Sequence, residues 1–192
     1  MKRPSLLVIF LSVFIDLIGF GIVMPLLPIY SREFNAPGYL IGLIMASFSV
    51  MQFLFAPMWG GLSDRIGRRP VILISNAGSA LAYAMFAYAS SVGGQNGLLL
   101  LLVSRIFAGV CGANLSVASA YIADVTPVER RSRGMALIGV AFGLGFIFGP
   151  AIGSFSARQW GLPGPGWVAA AICAANVLFA VFVLKESRGA NS

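Results

Sequence analysis

A chain of 192 residues in which 58% are hydrophobic and 10% charged, with a mean hydropathy of +0.90, lies outside the composition of soluble globular domains. A formal charge of +7 would suggest a nucleic-acid partner in a soluble protein, but here the basic residues sit in short connectors between apolar runs, which argues against that partner. There is no histidine, no nucleophile and base set and no phosphate-cradling loop, so neither an enzyme nor a bound metal or organic cofactor is expected.

About 20 apolar residues carry one helix across a bilayer. Six runs of that kind follow one another, at residues 5–30, 39–59, 71–89, 98–123, 135–155 and 167–184. The runs are continuous rather than alternating, and lipid obliges each peptide group to find its partner within its own segment, so helices are expected rather than strands. The expected fold is an all-α integral membrane domain spanning 1–192, with six transmembrane helices and the lipid bilayer as its solvent. The start, MKRPSLLVIFLSVF, has the look of a secretory signal, yet the run continues through Asp16, Pro25 and Pro28 without a small-residue cleavage pattern, which predicts a retained first helix.

Assigning the connectors alternately to the two sides separates the basic residues. Lys2, Arg3, Arg65, Arg68, Arg69, Arg130, Arg131, Arg133, Lys185 and Arg188 share the side of the N-terminus, and only Arg32 and Arg158 fall opposite. Cytoplasmic connectors carry the excess of Lys and Arg, so both termini are expected in the cytoplasm and the protein in the cell's inner, plasma membrane. Cys111 and Cys173 lie within spans as small apolar residues and predict neither a disulfide nor a metal site.

Charge inside a span costs roughly 2.5 to 3.5 kcal/mol on insertion scales, so each such residue needs a partner or a task. Asp16 lies midway along the first span and Arg105 in the first half of the fourth. Either the two pair or bond to carbonyls to fix packing, or the carboxylate exchanges a proton across an aqueous cavity; arginine stays protonated and is unsuited to that role. Gln52 and Asn114 either hydrogen-bond between helices or orient a ligand, whereas Asn76 and Asn176 are expected to do the former. Phe20, Phe48 and Phe53 are candidates for a cavity wall. Pro25, Pro28 and Pro57 either bend or terminate their helices, and Pro150 is a candidate kink. In the fifth span Gly139 and Gly143 form one four-residue series, and Gly145, Gly149 and Gly153 another, spacings that let helix backbones approach closely.

Three segments together resemble one family. GGLSDRIGRRPVIL presents Gly60, Asp64, Arg65, Gly67, Arg68, Arg69 and Leu73; LLVSRIFAGVCGA presents Leu101, Arg105 and Gly109, with Ala108 at a commonly polar position; GLGFIFGPAIGS presents Gly145, Gly149, Pro150 and Gly153, with Ser154 where a second glycine is usual. With DLIGFGIVMPLLPIY in the first span, they resemble the loop, fourth-helix, antiporter and first-helix motifs of the major facilitator superfamily, in its drug/proton antiporter branch with tetracycline-efflux-like members. The resemblance implies half of a facilitator fold, built as an inverted repeat of three helices. GGLSDR is echoed by GSFSAR, with Ala157 replacing Asp64.

It further implies a secondary transporter that exports hydrophobic or cationic small molecules against a proton flux, with the proton as coupling ion and Asp16, Arg105, Gln52 and Asn114 at the cavity. A second half is needed, supplied by a parallel homodimer or a separate chain. Asp64 is expected to cap the opposing half's fifth helix near Gly134, and Arg68 or Arg69 to bind Asp124, closing a cytoplasmic gate. The alternatives are a nontransporting half or regulatory subunit, and a nutrient uptake carrier.

Overall fold

A computed structural model describes residues 6–112 and 114–187, with the side chain of Asn114 outside the description. Lys2, Arg3 and Arg188 lie outside the described residues. Six helical spans long and apolar enough to cross a membrane succeed one another: Leu6–Glu33, Gly38–Ile66, Arg68–Val92, Gly94–Val125, Val128–Trp160 and Gly164–Val183. Among the described residues there is no strand.

The first span comprises α1 (Leu6–Val23), a 3-10 turn at Met24–Leu26 and α2 (Leu27–Glu33). Pro25 and Pro28 lack the N–H that an α-turn needs, so the chain tightens locally and then resumes its axis. The left-handed Asn35, at φ 56°, ends α2 and turns the chain into α3 (Gly38–Ile66). Pro57 lies inside α3 without ending it. After Gly67 come α4 (Arg68–Val92), α5 (Gly94–Cys111) and α6 (Asn114–Val125), the last two forming the fourth span. A short 3-10 turn leads into α7 (Arg131–Trp160), which runs through Pro150, and then α8 (Gly164–Val183).

The main packing partners are α1 with α7, α4 with α8, α4 with α5, α3 with α5, and α1 with α8. Exchanging the first span with the fourth, the second with the fifth and the third with the sixth converts this set of pairings into itself. Three crossings reverse the direction of entry, so the two three-helix units are inverted. The echo GGLSDR and GSFSAR is repeated in three dimensions: Ser63 Oγ donates to Gly60 O at 2.8 Å and Ser156 Oγ to Gly153 O at 3.0 Å, and both serines are buried.

Two apolar clusters fill the bundle. One, toward the end that carries Gly67, contains Ile9, Val13, Val71, Val117, Tyr121, Ala141 and Leu184; the other contains Ile22, Tyr30, Ile44, Phe86, Leu98 and Leu101. Polar residues tie the first, third and sixth spans between them. Asn176 Nδ2 donates to Ser12 O at 2.8 Å, and Asn76 Nδ2 to Ser12 Oγ at a long 3.4 Å. Far from the Gly67 end, Tyr30 Oη donates to Leu162 O at 2.6 Å.

α1 and α7 meet backbone to backbone. A Cβ on Gly145 would lie 2.9 Å from Leu17 O, and one on Gly153 3.0 Å from Ile22 O; one on Gly149 would enter the backbone of Gly21. The other glycine series faces away, since a Cβ on Gly139 or Gly143 would meet nothing within 4 Å. α3 and α7 bury few side chains, and those of α7 are all small.

Candidate functional site

Between the two clusters α1, α3, α4, α5, α6 and α7 line a partly open cavity of about 160 Å³. Asp16 lines it, half-buried, with Cys173 Sγ 3.9 Å from its Oδ1. Phe20 and Phe48 form an aromatic wall, their ring centroids 5.2 Å apart, and Phe146 meets Phe20 edge-on at 5.9 Å. Phe53 is not part of that wall: it is 79% exposed on the outer face of α3. Gln52, Ser49 and Ser79 supply the uncharged polar lining, and Tyr83 closes one side. The arrangement suits an apolar guest with a polar or positive group held near a single carboxylate.

Arg105 stands apart from the other candidates. It does not line the cavity but lies one layer behind, only 2% exposed, with Tyr83 between it and the void. Its guanidinium carbon stands 5.5 Å from the Tyr83 centroid and 5.3 Å from that of Phe86, so the faces of two α4 rings contact the charge. Among the described residues Nε and Nη2 have no hydrogen-bond partner. Tyr83 and Phe86 lie three apart on the α4 face toward α5, and of the two rings Tyr83 also lines the cavity. Gln52 reaches the lining and donates from Nε2 to Gly112 O at 3.1 Å.

The charged connector forms a second cluster. Of the two candidate arginines, Arg68 makes the inter-helix contact: Nη1 lies 2.6 Å from Asp64 Oδ1, Nε 3.1 Å from Asp124 Oδ2, and Nη1 also donates to Ser63 Oγ at 2.6 Å. Arg68 is 12% exposed and Asp64 65%, so the Asp64 contact is heavily screened and the Asp124 contact is the more structural of the two. Arg69 turns instead toward α8, donating from Nη2 to Val181 O at 2.6 Å. Arg65 lines an outer groove with Trp59 and Leu62, and Gly60 lies on the open side of α3.

Sequence reasoning missed Glu186. Its carboxylate accepts the backbone N–H groups of Arg68 at 2.8 Å and Arg69 at 3.1 Å, closing the first turn of α4 with a negative charge where the helix dipole favours one. Ser187 Oγ donates to Asp124 Oδ2 at 3.3 Å, and Tyr121 Oη to Lys185 O at 3.0 Å, so the segment after α8 is fastened across the third and fourth spans. The available signal was an acid just past an apolar helix, on the same side as a helix starting Arg-Arg. Gly67 makes room for it: its φ is +102°, and a Cβ there would sit 2.9 Å from the Glu186 carboxyl carbon. Gly67→Ala is expected to lose about 1–3 kcal/mol from backbone strain, and to displace the cap. A detergent-denaturation midpoint unchanged in that variant would contradict this assignment.

The sequence matches the Major Facilitator Superfamily over residues 9–192, and the chain belongs to that family. It is 43% identical to the class E tetracycline resistance protein of Escherichia coli over 182 residues, covering 93% of this chain and 43% of that protein. It is 39% identical to the class C tetracycline resistance protein of the same organism, covering 97% of this chain and 46% of that one. The crystal structure of the human organic anion transporter MFSD10 (TETRAN) superposes with a TM-score of 0.79 at 32% identity, covering 96% of this chain and 48% of that one. The chain thus spans about half the length of the relatives it matches. Family membership and the six spans make it a multi-pass membrane protein.

Proposed function

We propose that this chain is one half of a proton-coupled carrier that exports hydrophobic or cationic small molecules, rather than an enzyme. The observation that carries the reading is Asp16: a half-buried carboxylate at mid-span, on a cavity whose facing wall is aromatic. A carboxylate there serves proton and cationic cargo alternately, because protonation removes the charge that a cation needs. Two tetracycline resistance proteins among the relatives favour export as the direction. The proton is the coupling ion, and no cofactor takes part. The basic end, with Arg68, Arg69 and Arg131, is cytoplasmic and the membrane is the cell's inner one.

The second half is a second copy of this chain in parallel orientation, or a separate chain of the same design. The open faces of α3 and α7 support this. Gly42, Gly60, Gly61, Gly139 and Gly143 face empty space there, and Phe53, Met58, Ile147 and Phe155 are exposed beside them. Asp64, largely exposed near the end of α3, is the acid that in this reading caps a neighbour's helix terminus near Gly134.

The test is transport into proteoliposomes with an imposed pH gradient, using tetracycline and a lipophilic cation as cargo. Wild type is expected to accumulate cargo against its gradient, and Asp16→Asn to lose at least about tenfold of the gradient-driven component while retaining cargo binding. Undiminished coupling in that variant removes Asp16 from the mechanism. The likeness to an organic anion transporter favours one competing reading, and an organic anion belongs in the same assay; preferential movement of the anion overturns the cationic assignment.

A further inference from the structure

The fourth span, a single run in the sequence, is interrupted halfway. α5 ends at Cys111, Gly112 leaves the helical region at φ −70°, ψ 45°, and α6 begins at Asn114. A helix end strands its last carbonyls, and in a membrane no solvent is at hand to take them up. Here three consecutive carbonyls each receive a side-chain donor from a neighbouring helix. Trp59 Nε1 donates to Val110 O at 2.6 Å, Ser75 Oγ to Cys111 O at 2.5 Å, and Gln52 Nε2 to Gly112 O at 3.1 Å. Gln52 and Trp59 lie seven apart, two turns along one face of α3, and Ser75 is on α4.

The interruption coincides with the seam between the two apolar clusters. Val117, Ala118, Tyr121 and Ile122 of α6 belong to the cluster at the basic end, while Leu98 and Leu101 of α5 belong to the other. The two pieces of the span are therefore packed into different apolar clusters. α5 carries Arg105 behind the cavity, and α6 ends at Asp124, in contact with Arg68. Gln52 alone among the three donors also lines the cavity.

We propose that the fourth span is a two-part lever hinged at Gly112, with Gln52, Trp59 and Ser75 as positioning residues that set the orientation of α6 and pass the state of the cavity to the Arg68–Asp124 ion pair. A guest that engages the Gln52 amide takes away the donor of Gly112 O, the joint between α5 and α6 keeps two of these three side-chain bonds, and Asp124 at the far end of α6 is free to leave Arg68. This deepens the carrier reading and rests on it for its purpose, though not for its mechanics.

Hydrogen–deuterium exchange on the full chain in lipid nanodiscs tests the lever without any cargo. Trp59→Phe keeps the ring and deletes the N–H, and Ser75→Ala deletes the hydroxyl; neither residue lines the cavity. Combining them is expected to speed amide exchange over residues 114–125 by at least about tenfold, since two of the three side-chain bonds at the joint are lost, while residues 98–108 exchange as in wild type. Gln52→Leu alone is expected to act in the same sense and place. Ser75→Thr, which keeps the hydroxyl, restores the wild-type rate. Asp124→Asn frees α6 from its other end, so adding the Trp59 and Ser75 changes to it gives less than the sum of the separate effects. Exchange over 114–125 that stays at the wild-type rate, or a rise shared evenly by all spans, overturns the proposal. A chain with the localised response but no proton-coupled transport keeps the lever and loses the carrier reading.

Discussion

Replacing Gly149 with valine is expected to destabilise the bundle by more than about 3 kcal/mol, at the upper end of what overpacking costs, because what the new side chain meets is backbone. A Cβ at Gly149 would overlap the carbonyl carbon of Gly21 and lie 2.6 Å from its Cα, and Gly21 in turn has no room for a Cβ because Gly145 O faces it. Rotamer changes cannot relieve such a clash; α1 and α7 must separate, and this is a principal helix contact of the fold. Gly143→Val is the matched control, since a Cβ there meets nothing within 4 Å, and it is expected to stay within about 0.5 kcal/mol of wild type in folding. Detergent-denaturation midpoints followed by circular dichroism compare the two. Equal midpoints would mean that Gly145, Gly149 and Gly153 do not fix the spacing of these helices.

Arg105→Met is expected to act in the opposite direction, raising stability by about 1–2 kcal/mol. A guanidinium in a span costs roughly 2.5 to 3.5 kcal/mol on insertion scales. Contacts with the faces of Tyr83 and Phe86 return up to about 2 kcal/mol, and among the described residues Nε and Nη2 find no hydrogen-bond partner. Methionine fills a comparable volume with none of the desolvation penalty. In the same variant gradient-driven transport should fall, because the positive charge behind Tyr83 contributes to the field at the cavity. A stabilised protein with unchanged transport would leave Arg105 without a role, and a destabilised one would make it a packing residue.

The six spans were legible because lipid imposes a length and an apolar composition on each, and those survive in the sequence without reference to neighbours. Asp16 was legible for the same reason: a lone acid within a hydrocarbon-length run is conspicuous. The series Gly145, Gly149 and Gly153 announced a close approach, though not that α1 would be the partner, nor that Gly139 and Gly143 would face outward.

The interruption at Gly112 was not legible. VCGANLS continues an apolar run, and what stabilises the break is a set of donors 36 to 60 residues away in sequence. Arg105 behind its two rings, and Glu186 over a helix start 118 residues earlier, are likewise products of packing. Pro57 and Pro150 show the converse, since both signal a break in sequence and both helices run on through them.

The docking of Lys185, Glu186 and Ser187 has a consequence for whatever peptide continues from them. A polypeptide attached beyond residue 187 does not leave from a slack tail but from an anchorage against Arg68 and Asp124. Mechanical load applied to that peptide is delivered to the ion pair before it reaches α8. An affinity tag or a fused domain at that end therefore bears on the Arg68–Asp124 pair itself, and the opposite end of the bundle, where Arg32 and Arg158 lie, is the side on which an appendage leaves it undisturbed.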